Sequence, residues 1–404
     1  MASASEDSRK LRAWWAARQG LDGSLQGGAP ADILARSGWA RSVGGAGPYL
    51  TLFSRGGTPR AEADGAVARL AIHELPSARG CTYVLPAADF ALGLRLGQSD
   101  ADMRTIAKLG VTEREIDALC AAVLGALAPG EALDPEGIRE RVGGAARSLG
   151  EAGKKKGMTT TLPTALGRLQ GLGEIRRVPV DGRLDQQRYR YVRWADNPLA
   201  TCKLSLDECH GELARRYFRW IGPATPAEFQ WFSGLGVKAA KAALEPLGLV
   251  PVEDGSDRLV FPDDRDAFRD FAVPSRPQYA LVSGIDAMNQ LRRDVALLTE
   301  PAHAAHPLLA AEGRGAGFVV DLPDHAILDR GQLVGLWEFD QAAGEIVWMS
   351  FVAPTDSMRE AIARTEAFVR DDLGDARAFS LDSPKSRAPR VEALRKASGF
   401  ASKR

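Results

Sequence analysis

Residues Arg60 to Ile72 have helical character and lead into His73-Glu74-Leu75, a turn over Pro76 to Gly80, and a strand from Cys81 to Leu85 that Pro86 stops. The pattern places His73 at a helix end. A second stretch repeats this order. Leu162 to Leu169 reads as a helix ended by Gly171 and Gly173, Glu174 to Val180 alternates as a strand, Asp181-Gly182 turns, and Gln187 to Trp194 returns. In a third, a helix from Val237 to Leu247 breaks at Gly248, and strands Leu249 to Val252 and Arg258 to Phe261 flank Asp254-Gly255. Thr112 with Glu115 and Thr225 with Glu228 each fit a capping box opening a further helix. Helices followed by a hairpin, three times over, predict winged helix-turn-helix units, which present their last helix to the DNA major groove.

Downstream, Phe318-Val319-Val320, His325 to Leu328, Leu333 to Phe339 and Glu345 to Phe351 read as short strands, and Ser357 to Asp371 as a helix. With 404 residues, two to four domains are expected. Lys plus Arg and Asp plus Glu are 52 each, so a polyanion site requires local segregation of charge. The middle of the chain supplies it: from Arg139 to Lys203 there are 14 basic against six acidic residues.

The densest part is Lys154-Lys155-Lys156, followed by Thr159, Thr160 and the helix that carries Arg168. Ammonium groups, hydroxyls and a helix N-terminus form a phosphate clamp. The hairpin adds Arg176, Arg177, Arg188 and Arg190, with Tyr189 and Tyr191 interleaved, and alternation puts Arg188 and Arg190 on one face. These ten residues are the expected DNA contacts. Lys238 and Lys241 sit on an alanine-rich helix expected to pack internally.

In order, Arg18-Gln19-Gly20-Leu21, Arg79 to Ala87, Tyr217 to Thr225, Phe232 to Leu235, His325 to Gly331 and Leu333 to Trp337 resemble the AlkZ-like family. These are winged-helix DNA glycosylases of alkylated purines and interstrand crosslinks. The resemblance spans about Arg12 to Val369 and implies an α+β fold: three tandem winged helices in a C-shaped clamp, then a small β-barrel-like domain. The expected boundaries are 1–100, 101–204 (basic), 205–272 and 273–404. It also implies hydrolysis of the N-glycosidic bond of a damaged base in double-stranded DNA.

Such glycosylases hold two polar side chains, Gln-x-Gln or Gln-x-Asp, just before the segment that here begins Gly47-Pro48-Tyr49. This sequence has Gly38 to Gly47 there, with Arg41 and Ser42 as its only functional side chains. Either the catalytic acceptor comes from elsewhere, with Asp286 and Asp329 as candidate carboxylates beside Ser42, or the scaffold binds damaged or regulatory DNA without excision.

Other chemistry is set aside. Cys202, Cys209 and His210 make half a zinc site with no second pair, and His303 and His306 lie in a proline-flanked loop without a third ligand. His325 reads as a packed or hydrogen-bonded strand residue. No phosphate-loop, dinucleotide or Gly-x-Ser-x-Gly motif occurs. No cofactor or metal is expected. Four scattered cysteines, a polar N-terminus and no apolar run of ~18 residues predict a cytoplasmic protein off the membrane. Without a heptad seam, a monomer is expected.

Overall fold

The computed structural model describes residues 2–98, 101–200, 202–304, 306–309, 321–322 and 324–398; the strand expected at Phe318-Val319-Val320 lies outside them. After α1 (Ala2–Arg18) come α2 (Pro30–Ser37), β1 (Ala40–Arg41), α3 (Gly47–Gly56), α4 (Arg60–Ala68), and the hairpin β2 (Ile72–Pro76) and β3 (Thr82–Pro86), with α5 (Phe90–Gly97) behind it. Helix α4 stops four residues short of Ile72 because Leu70 takes a left-handed backbone, at φ 56°. His73 therefore belongs to a strand and not to a helix end.

The second copy follows: α6 (Ala101–Ala107), α7 (Glu113–Ala126), α8 (Pro135–Val142), α9 (Gly150–Lys154), α10 (Leu162–Gly171), then β4 (Ile175–Pro179) and β5 (Tyr189–Arg193). The third has α11 (Leu206–Ile221), α12 (Pro226–Ser233), α13 (Val237–Leu244), β6 (Val250–Pro251), β7 (Leu259–Val260) and α14 (Pro262–Asp270). In every copy an extended piece ahead of the later helices pairs with the outgoing strand of the hairpin. The partners are Ala40 with Val84, Leu133 with Tyr191, and Ala224 with Leu259.

Local chemistry sets the helix ends. Thr225 and Glu228 cap α12 reciprocally, Pro226 fills its first turn, and Gly234 ends it in the left-handed region at φ 74°. Ser205 and Glu208 build the same box on α11. On α7 only half of the box forms, because the Glu115 carboxylate pairs with Arg147 at 2.7 Å. Thr225→Ala is expected to cost about 1 kcal/mol of stability, read as a lower urea midpoint with an unchanged slope.

The C-terminal part holds β8 (Tyr279–Val282), α15 (Ala287–Gln290), β9 (His325–Asp329), β10 (Gln332–Asp340), β11 (Glu345–Ser350), α16 (Asp356–Phe368) and α17 (Pro384–Ala397). Its strands form an open antiparallel sheet in the order β11-β10-β9-β8, so the expected barrel is corrected: four strands do not curl far enough to close. Helices cover the faces instead, with α17 on β10 and β11, α16 on β8 and β11, and α3 on β8.

That sheet separates two cores. Ala280, Val282, Ala326 and Leu328 face one with Trp15, Tyr217 and Phe232, whereas Leu281 and Ile327 face another with Ile33, Tyr49 and Leu50. A third core, around Ile116, Val123, Ile138, Leu166 and Ile175, is contained within the second copy.

Candidate nucleic-acid interface

The basic segment divides into paired and unpaired cations. Lys154 ends α9 and bonds Glu151 at 2.7 Å, and Arg168 reaches from α10 to Asp117 at 3.0 Å and Glu113 at 3.6 Å. Arg176 stacks on Trp194 at 5.4 Å and Arg177 on Tyr189 at 4.6 Å, both half-buried. Lys155, Lys156, Arg188 and Arg190 are exposed and enter no ion pair among the described residues. Thr159 is exposed, and Thr160 bridges Ser148. The hydroxyl at the start of α10 is already engaged, since Thr161 Oγ1 accepts from the Arg147 N–H at 3.1 Å.

Both candidate carboxylates are occupied. Both Asp286 oxygens accept from the Arg55 guanidinium at 2.9 Å, Oδ1 also caps α15 at Met288, and Thr51 donates to Oδ2 at 3.3 Å. Arg55 donates in addition to Gln19 Oε1 at 3.0 Å, which ties α1, α3 and the C-terminal part together. Asp329 is held by Arg330 at 2.7 Å and by the Gln278 N–H at 2.9 Å. Neither meets Ser42.

Ser42 has another partner. Its Oγ donates to Glu74 Oε1 at 2.9 Å, and the Tyr189 hydroxyl, arriving from β5, donates to the same oxygen at 3.3 Å. Glu74 is 5% exposed and enters no ion pair among the described residues. Sequence reading missed it, although the signal was there: alternation puts Glu74 in phase with Ile72, on the face that reaches the core of the first copy. Burial raises the pKa of Tyr189, and Glu74's charge adds to that. The neighbouring His73 is fully buried, with burial first and Arg176 and Arg177 next holding its pKa down at about 3, so the ring is neutral.

The junction is drawn tight at Val43, whose carbonyl accepts from Gln187 Nε2 at 3.2 Å and from the Ser380 N–H at 3.1 Å. Further fasteners are the Leu184 N–H on Tyr49 Oη at 2.9 Å and the Arg377 guanidinium on the Asp185 carbonyl at 2.7 Å.

The remaining titratable groups are packed. His325 accepts from the Gly284 N–H at Nδ1 and faces the Ala376 carbonyl through Nε2, and burial holds its pKa down at about 4. His303 and His306 lie against the Phe351 ring. Among the described residues no three His, Cys, Asp or Glu side chains gather as metal ligands, and no helix is long and apolar enough to cross a membrane.

The repeated helix-and-hairpin copies and the shared sheet have a known counterpart. The chain belongs to the AlkZ-like DNA glycosylase family, whose model matches residues 45–368. Its fold is similar to that of the Streptomyces sahachiroi DNA glycosylase AlkZ, at a TM-score of 0.67 and 20% identity, over 92% of this chain and 98% of that one. No curated protein sequence matches it.

Proposed function

We propose that the protein is a monofunctional glycosylase that binds double-stranded DNA through its middle copy and hydrolyses the N-glycosidic bond of an alkylated purine, without metal or cofactor. The observation that carries the reading is the group of exposed, unpaired cations, Lys155, Lys156, Arg188 and Arg190, in a member of this family. The recurrent pairing of an early extended piece with the outgoing hairpin strand supports winged-helix units, with Arg188 and Arg190 on a wing that follows the phosphate backbone. We place the protein in the cytoplasm as a monomer.

The test is a duplex with one N7-alkylated guanine, incubated with protein and then treated with alkali. Cleavage at the lesion is expected. Tight binding with intact DNA favours a non-catalytic damage-binding or regulatory role, which the missing polar pair before Pro48 motivates.

Phosphate contacts also make a quantitative expectation. Lys155→Ala with Lys156→Ala should lower the slope of log affinity against log salt by about 2, alike for every duplex, in anisotropy titrations. Lys154→Ala should change it less, because Glu151 already neutralises that ammonium. An unchanged slope in the double variant removes these lysines from the interface.

A further inference from the structure

We propose that Glu74 is the catalytic carboxylate of this chain, with Ser42 and Tyr189 as its positioning residues; the assignment rests on the glycosylase reading above.

A carboxylate buried without an ion-pair partner is disfavoured against an apolar residue of similar size. Its strand neighbours on that face, Ile72 and Val84, are core residues, so stability alone selects an aliphatic side chain at position 74. Residues that break the local rule in this way are expected at functional sites.

The kind of partner matters too. A guanidinium occupies both oxygens of Asp286 and removes it as a base. The two hydroxyls on Glu74 orient the group, and both fall on Oε1, so neither occupies Oε2. Tyr189, whose hydroxyl meets Oε1, is itself only half-buried. Arg177, over the Tyr189 ring, adds positive potential on the side of the middle copy. The fully buried neutral His73 is not a competing base.

The reaction balances with these groups and water alone. A purine alkylated at N7 or N3 is cationic, so the C1′–N bond breaks with its electron pair going to the base, which leaves neutral. Water oxygen bonds C1′, and its proton passes to the Glu74 carboxylate. Ser42 and Tyr189 hold that carboxylate facing the water.

The experiment compares Glu74→Ala and Glu74→Gln in single-turnover excision from an N7-methylguanine duplex, with affinity for the uncut duplex measured in parallel. Excision is expected to fall about 100-fold or more in both, with affinity unchanged. Added formate should restore part of the rate to Glu74→Ala, where it can replace the lost carboxylate, and none to Glu74→Gln, where the amide fills the space. Tyr189→Phe, which removes one donor and leaves the ring, should slow excision about 10-fold. A Glu74 variant that excises at the parental rate overturns the assignment, as does one that loses affinity in step with rate. Should neither Glu74 variant fold, Tyr189→Phe decides, and a parental rate there overturns the proposal. If the parent protein binds the duplex and excises nothing, the glycosylase reading itself fails and takes the proposal with it.

Discussion

Arg55→Ala is expected to lower the unfolding free energy by about 3–5 kcal/mol, because it leaves the Asp286 carboxylate buried and uncompensated. The side chains of this pair are 0% and 1% exposed, and the pair is bidentate. Asp286→Ala should cost a similar amount by stranding the guanidinium. Replacing both together, Arg55→Met with Asp286→Leu, should recover part of the loss, because desolvation of the two charges offsets most of their attraction. Urea unfolding of these variants, and of Arg55→Met and Asp286→Leu singly, measures this. A double variant that loses as much as Arg55→Met and Asp286→Leu lose separately, summed, would mean that the two groups are not coupled.

A second large effect is expected from pH at the far side of the C-terminal sheet. One guanidinium, Arg390, serves three buried carboxylates: Asp324 at 3.2 Å, Glu338 at 3.0 Å and Asp382 at 2.7 Å. Burial first, and for Asp324 the charge of Glu338 next, hold both of these carboxyls up at about 7. An acid that keeps its proton more tightly folded than unfolded adds stability below the ordinary carboxylate range. That contribution fades as pH rises through about 7.

Glu338→Gln, which carries no charge at any pH, should therefore match the parent near pH 4 and exceed it by about 2 kcal/mol near pH 8. The comparison with the parent is essential. Buried neutral His73 and His325, with depressed pKa values, contribute stability that is present above the ordinary imidazole range and lost as pH falls, which runs the other way. An advantage of equal size at both pH values would sink the account.

What the sequence made legible was local. Gly173 and Gly248, in the left-handed region at φ 67° and 62°, ended the helices where expected, and the hairpins followed in register. The capping pattern at Thr112 was legible only in part, since nothing local said that Glu115 would turn to Arg147.

The site was less legible because its distances in sequence are long. Ser42 was a candidate, but its partner lies 32 residues on and depends on which face of a hairpin meets the core. Asp286 looked available because Arg55, 231 residues away, could not be seen to claim it. The closed barrel failed for a related reason. Strand patterns give the number and alternation of strands, whereas closure depends on how they curl, and β8 at the edge of the sheet had not been read as a strand.

The C-terminal sheet has a consequence for motion. With a core on each face, it welds the first and third copies into one body that cannot flex without opening apolar surface. The middle copy keeps its own core and is fastened along its hairpin, where Tyr189 also reaches Glu74, and where α10 meets α5 and Gln98 donates to the Gly171 carbonyl. Docking of that hairpin and completion of the hydroxyl pair are thus a single equilibrium. A variant that loosens the hairpin of the basic copy is therefore expected to loosen the Tyr189 contact with Glu74 as well.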